Sequence, residues 1–356
     1  MRRFLKINHK IKVCSFFVLI LVATLSGCGG GSSKRNESPI IYTAGSYKDD
    51  SGKRIACYWK GTNCVPLPGN EAEAKSIEVF NGIVYTVGSY NNGEKNRACL
   101  WIGTNRKDLE TNTDIACNAE DITISPGGTV FIAGSYYDTL KEVNTVCYWK
   151  VNGEVTERIN LSVLEGKRES SAYSIAVSGD IVYMAGNYRD DALNYTGCYW
   201  KGEKRTDLAD KTYIESIFIS GEDIYVSGSN NGFPCYWKNG RPIDLALKEN
   251  CKSGRARSIT VFNGTVYTAG IYYDSSNEIN SCYWTGTNRT ELTEDLEINS
   301  YGEVHSITVG VDGIVYIAGY ILRPDWNIYP CYWKGSTRFD LPGNAGKVYS
   351  ITTSRY

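Results

Sequence analysis

Along most of the chain, apolar and polar residues alternate in short runs with a period of two, and Gly- and Asn-rich turns cut the runs. This is the pattern of β-strands rather than of helices. Lys75 to Phe80 alternates in this way and is followed by Asn81-Gly82, a hairpin signal because both residues tolerate positive φ. Val84-Tyr85-Thr86-Val87-Gly88-Ser89-Tyr90 predicts a second strand, rich in β-branched and aromatic residues. A polar stretch leads to a third at Ala98-Cys99-Leu100-Trp101, and Gly103-Thr104-Asn105 turns the chain into a short fourth around Asp108-Leu109. The mature chain shows no helical period, which argues against an α/β fold.

This four-strand unit recurs. A Cys-x-Trp signature stands at Cys57/Trp59, Cys99/Trp101, Cys147/Trp149, Cys198/Trp200, Cys235/Trp237, Cys282/Trp284 and Cys331/Trp333. Its spacing is close to the roughly 40–50 residues of a four-stranded propeller blade. A second marker, Ser-Ile, appears at Ser76, Ser174, Ser216, Ser258, Ser306 and Ser350, with Asp121-Ile122 as the seventh. Both markers give seven. The fold predicted for residues 39–356 is all-β, a seven-bladed β-propeller of four-stranded antiparallel blades. Ile40 to Tyr47 reads as a second strand with no first strand before it, and Val348 to Thr353 as a first strand with nothing after it. The C-terminal strand is therefore expected to pair into the N-terminal blade and close the ring.

Repetition assigns most of the conspicuous residues to the scaffold. Each repeat Trp removes about 150–250 Å² from water when buried, a gross gain on the order of 4–6 kcal/mol. The repeat cysteines occupy equivalent positions on different blades, about 10 Å apart. A disulfide needs Cα atoms within roughly 4.4–6.8 Å, so these thiols cannot pair with one another. Cys64, Cys117 and Cys251 are the only other cysteines beyond the N-terminal region. Most thiols are expected to be free. There is no Cys-x-x-Cys and no accompanying His, which argues against zinc. Arg-x-Asp/Glu recurs at Arg106/Asp108, Arg205/Asp207, Arg289/Glu291 and Arg338/Asp340, and reads as exposed charge protecting an outer edge strand.

The first residues change the picture of where the protein resides. Arg2, Arg3, Lys6, Lys10 and Lys12 precede an apolar run from Val13 to Ala23, the order of a secretory signal. The run is shorter than the ~20 residues of a membrane-spanning helix. Leu25-Ser26-Gly27-Cys28 resembles the lipobox of bacterial lipoproteins, which implies that residues 1–27 are a signal peptide and Cys28 the lipidated residue. In enteric lipoproteins a residue other than Asp after that Cys favours the outer membrane, and Gly29 fits. Residues 28–38, rich in Gly and Ser, predict a flexible tether. Net charge is −1, so no nucleic-acid footprint is implied, and the sequence carries no cofactor motif.

The segments Gly82 to Ser89, Ala98 to Trp101 and Asp108-Leu109 together resemble the HAF-type repeat of bacterial extracellular proteins, with Cys in place of that repeat's Phe. The resemblance covers all seven repeats. It implies an extracellular propeller and transfers no functional residue.

Function is then expected on the non-repeating loops of one face, such as Tyr137 to Val146, Leu161 to Ala172, Asp190 to Gly197 and Leu292 to Val304. Trp326 is the one Trp outside the repeat and, with Tyr329, Tyr301 and Tyr273, is the candidate ligand contact. His305, the only histidine of the mature chain, is expected just before a first strand and reads as an ordinary polar residue at the offset of Lys75, Arg257 and Tyr349. No Gly-x-Ser-x-Gly elbow accompanies it. Asp49-Asp50 and Asp190-Asp191 lack calcium-loop spacing and read as turns. The leading expectation is a lipid-anchored envelope module that binds a protein or a glycan. The alternative is a carbohydrate-active enzyme with carboxylates at the channel mouth, and a purely structural envelope role is a third. Three or more channel-facing carboxylates with raised pKa would favour the enzyme.

Overall fold

Period-two alternation becomes strand throughout: the computed structural model has twenty-eight strands and, among the described residues, no helix. It describes residues 38–140, 142–161, 169–189, 195–292 and 300–354. The expected signal peptide, Cys28 and nearly all of the tether lie outside these residues, as do parts of all four of the expected long loops.

The strands form seven four-stranded antiparallel sheets, each a blade with its first strand innermost. The innermost strands are β4 (Glu73–Phe80), β8 (Cys117–Ile124), β12 (Glu169–Ser178), β16 (Thr212–Ser220), β20 (Ser253–Phe262), β24 (Tyr301–Val309) and β28 (Asn344–Ser354). Each touches the next, and β28 touches β4, so the sheets form a closed ring. The closure is the expected one. β28 pairs antiparallel with β1 (Ile40–Lys48), with Ile40 opposite Ser354 and Thr43 opposite Ile351.

The seven repeat tryptophans are all buried between blades. Some also fasten the loop that enters their own blade: Trp59 Nε1 donates to the Pro342 carbonyl at 2.9 Å, Trp101 to Pro68 at 3.0 Å and Trp284 to Ala246 at 2.7 Å. The repeat cysteines are fully buried, and all ten cysteines of the described residues are free thiols.

The Arg-x-Asp/Glu pairs meet the expectation in part: they stand on the outermost strands, and Asp108, Asp207 and Asp340 are exposed. They form ion pairs within the outermost strand, but in three blades a second-strand tyrosine joins them. Tyr90, Tyr188 and Tyr272 donate hydroxyl hydrogen bonds to Asp108, Asp207 and Glu291 at 2.8, 3.2 and 3.0 Å. The matching Arg106, Arg205 and Arg289 lie over the tyrosine rings. Side chains such as Arg205, 11% exposed, and Glu291, 10% exposed, are clasps that tie the second strand to the outermost strand rather than bare edge charges. A tyrosine offers both a face for the cation and a hydroxyl for the carboxylate, which draws the pair inward.

Candidate functional site

In every blade the innermost strand carries a β-bulge that leaves one residue unpaired. The seven residues are Lys75, Glu120, Tyr173, Glu215, Arg257, His305 and Tyr349. Opposite each bulge stands a second-strand glycine. An added Cβ on Gly88, Gly228 or Gly319 would overlap the carbonyl oxygen of Glu73, Tyr213 or Glu303, and the other four blades repeat the relation. The bulge therefore requires glycine there, because the bent strand approaches too closely for any side chain.

The Ser-Ile marker has its cause here as well. Each Ser follows a bulged residue, where the ladder is interrupted and the next amide needs another acceptor. Ser174 Oγ accepts from the Ile217 amide of the next blade at 3.2 Å, Ser258 from Ile307 at 3.1 Å, Ser306 from Ile351 at 3.3 Å and Ser350 from Ile77 at 3.4 Å. Asp121 takes this role in the third blade, accepting from Ile175 at 3.0 Å.

The seven bulged residues and the Ser/Asp ring beneath them line one cavity of about 100 Å³ at the centre of the molecule. All seven bulged residues are half-buried and polar. Most of their charge is balanced locally. Lys75 pairs with Glu73 at 2.6 Å, Arg257 with Glu303 at 2.7 Å, and Arg255 with Glu215 at 3.3 Å. Tyr349 donates to Glu73 at 2.6 Å. Burial, then the nearby Arg257, Lys75 and Lys347, hold the His305 pKa well below the ordinary histidine value. The neutral imidazole accepts from Arg257, with Nη1 3.1 Å from Nδ1.

Four carboxyls here titrate above their usual range. Burial raises Glu215 despite Arg257 and Arg255. Burial also raises Asp121, although Ser76, Ser174 and two amides donate to it. Burial, against the attraction of Lys75 and with the repulsion of Glu73 and Asp121, pushes Glu120 up to about 6. Glu78, further along β4, is pushed up to about 7 by burial and the Asp121 charge. Glu120 differs from the others on the bulge ring: among the described residues it accepts no hydrogen bond and joins no ion pair.

The loops between second and third strands, and those entering each innermost strand, lie on one face. Here the channel opens into a recess of about 440 Å³ that reaches from Glu120 and Asn118 across to Arg54 and Glu71. A neighbouring recess of about 340 Å³ shares Arg54 and Glu73 and reaches Lys347 and Tyr349. Across the mouth, Tyr173, Tyr213 and Tyr195 form an aromatic row with centroid separations of 5.8 and 5.5 Å. Among the described residues no three His, Cys, Asp or Glu side chains converge as metal ligands do.

The residues singled out from sequence sit elsewhere on the same face. Trp326, 81% exposed, tops the loop between β25 (Val315–Leu322) and β26 (Ile328–Lys334) at φ 63°. The same hydrogen-bonded turn recurs at 49–53 and 274–278, with Gly52 and Asn277 at the left-handed position that Trp326 occupies. Tyr329 is under the Arg323 guanidinium, 4.0 Å from its ring centroid, and donates to Asp325 at 3.3 Å. Tyr273 and Tyr301 lie near one another on the seam of the sixth and seventh blades. None of the four lines the channel cavity. His305 is not before the strand, as expected, but inside β24 at its bulge, because β24 starts earlier than the alternation suggests. The bulge ring itself was missed as a site. Its signal is the residue before each Ser-Ile or Asp-Ile, polar in all seven repeats and different in most.

No protein-family model and no curated protein matches the chain. Among solved structures it is similar to a puromycin-hydrolyzing peptidase of Mycobacterium tuberculosis, with TM-score 0.57, 12% identity and coverage of 85% of this chain and 53% of that one. An acylaminoacyl peptidase of Pyrococcus horikoshii gives TM-score 0.52 and 13% identity, covering 86% and 51%. A polysaccharide lyase, an ulvan lyase, gives TM-score 0.50 and 8% identity, covering 88% and 91%. The chain thus spans about half the length of the two peptidases, and at such identities the likeness is one of fold alone.

Proposed function

We propose that this protein is a lipid-anchored binding propeller of the bacterial cell envelope, held at the outer membrane through Cys28, and that it captures a glycan at the long-loop mouth of its channel. One observation carries the reading. In a scaffold whose Trp, Cys, Gly and Ser positions repeat, the bulged residues facing the channel vary in identity and are all polar. Packing demands repetition, so the polar variation at this ring points to a ligand. The walls of the larger recess suit hydroxyl groups, because Ser89, Asn91, Asn96 and Asn118 offer both donors and acceptors. The tyrosine row adds faces on which a sugar ring can stack. β1 begins on the tight-turn face, so the mouth lies at the other end of the channel from the point where the chain enters the ring.

The second reading, a carbohydrate-active enzyme, is supported by Glu120, Asp121 and Glu215, three channel-lining carboxyls whose pKa burial raises, as the enzyme would require. Of these, Asp121 is held by four donors and Glu215 by Arg255, and Glu120 alone has no partner among the described residues. An unpartnered carboxyl pushed up to about 6 has the property required of a general acid. The first reading is preferred because the other charged groups of the mouth are tied to one another.

The ring closes within residues 40–354, so a soluble fragment from Ser32 to Tyr356 contains every strand. Applied to a glycan array, and in parallel to an envelope-protein pull-down, this fragment should retain a glycan, and Asn118→Ala should weaken retention by about tenfold. Turnover of the retained glycan, lost in Glu120→Gln, would favour the enzyme. Retention that ignores Asn118→Ala, or capture of proteins alone, would reject the channel mouth as a glycan site.

A further inference from the structure

The larger recess has an uneven charge balance. Its walls carry three carboxylates, Glu71, Glu73 and Glu120, against two cations, Arg54 and Lys75. Both cations are already occupied: Lys75 pairs with Glu73, and Arg54 lies 3.6 Å from Glu73 and 3.9 Å from Glu71. Among the described residues Glu120 has no cation within ion-pair distance. Asp121 follows it in the chain, and the Tyr173 hydroxyl is close enough for the Glu120 charge to raise its pKa. An enclosed carboxylate without a partner is costly to leave so, and a bound cation removes the cost.

The recess also restricts what can bring that cation. Among the described residues its lining contains no apolar side chain, so an aliphatic or aromatic group gains nothing there. The uncharged part of the wall, Ser89, Asn91, Asn96 and Asn118, matches a ligand that bears hydroxyls. A volume of about 440 Å³ is within the usual range for a small-molecule site. Resting on the reading of the mouth as a glycan site, we propose that this recess binds an amino sugar, with its ammonium paired to Glu120 and its hydroxyls held by the serine and asparagine wall.

A proton is coupled to the pairing. The groups facing Glu120 are Glu73 and Lys75 from β4, Asp121 on its own strand and Tyr173 from β12. Glu215, Arg257, His305 and Tyr349 complete the ring. An arriving ammonium favours the ionised carboxyl, so binding expels the proton that Glu120 holds below about pH 6. Affinity therefore rises as pH increases through about 6, and falls again where the amine itself loses its charge.

The test uses the soluble fragment, isothermal calorimetry, and D-glucosamine, N-acetyl-D-glucosamine, D-glucuronate and lysine amide as probes. D-glucosamine should bind saturably, about tenfold tighter than the other three. Its affinity should increase from about pH 5 to about pH 7, with proton release seen as a dependence on buffer ionisation enthalpy. Glu120→Gln should erase the preference for the amine while keeping the wild-type melting temperature at about pH 5, where the native carboxyl is protonated. Equal binding of N-acetyl-D-glucosamine or D-glucuronate would overturn the assignment, as would a preference that survives Glu120→Gln or an absence of saturable amine binding up to about 50 mM. Lysine amide binding as well as D-glucosamine would overturn the sugar. If a neutral or acidic sugar binds and Asn118→Ala removes it, the glycan site stands and only the ammonium falls.

Discussion

Glu78, on the innermost strand β4, holds its proton well above the usual carboxylate range. Burial, with the Asp121 charge, takes it from 4.5 to about 7. The fold then binds this proton more tightly than the unfolded chain does. The stabilisation is complete below the unfolded value of 4.5 and disappears as pH rises through about 7, leaving an ionised carboxylate that the fold disfavours. A shift of this size corresponds to roughly 3 kcal/mol. Glu78→Gln removes the titration, so the variant should exceed the wild type in stability by about that amount near pH 8 and differ little near pH 5. Urea midpoints at the two pH values measure this, and an equal effect at both would contradict the assignment. His305 acts with the opposite sign. The unfolded chain takes up a proton that the buried imidazole refuses, so its contribution is lost as pH falls below 6.5. None of this was legible in the sequence, where Glu78 is one more polar residue of an alternating strand. Its environment comes from β8 of the next blade, and pKa values depend on such neighbours rather than on local pattern.

Strands and their pairing were legible to different degrees. Two-residue alternation gave the strands, and the repeated Trp and Cys gave the blade count, because the inter-blade packing that fixes those side chains is the same seven times. The bulges were not legible. A bulge is a mismatch between two strands, and neither strand shows it alone. The glycines opposite are its trace: Gly228 faces the strand that carries Glu215, and a Cβ there would overlap the Tyr213 carbonyl oxygen. Ser-Ile was visible as a marker, but its purpose, an amide of one blade bonded to the hydroxyl of the previous blade, needs the ring. Gly228→Ala should force the backbone of β16 to move, costing about 1–3 kcal/mol as overpacking does. Because β16 places Glu215 and Tyr213 at the mouth, the same substitution should also weaken ligand retention, whereas Gly221→Ala, in a turn where an added Cβ meets nothing, perturbs only a turn with φ 61°. Loss of stability with retention unchanged would show that the bulge does not position the mouth.

At the scale of the whole ring, the first blade differs from the other six in how its innermost strand is joined to its second. Elsewhere a tight turn such as Asn81-Gly82 or Asn263-Gly264 links the innermost strand to the second, whereas in the first blade β28 and β1 are held by pairing and packing alone. β28 buries Val348 and Ile351 and supplies Ser350, which receives the Ile77 amide of the second blade. A chain ended at Gly343 loses all three. It also exposes the inner edge of β1, a row of unpaired amides and carbonyls. Such a truncate should melt at least about 10 °C lower, or lose its single cooperative transition. A truncate that melts as the intact chain does would refute closure by β28. The converse variant isolates the cause. Ser354 lies opposite Ile40, so an Asn-Gly turn can join them while the chain is opened between the exposed Glu249 and Asn250. This permutant keeps every strand pair and moves only the break. It should melt within about 5 °C of the wild type. A permutant that fails to fold would mean that the ring depends on where the chain is broken and not only on its pairing.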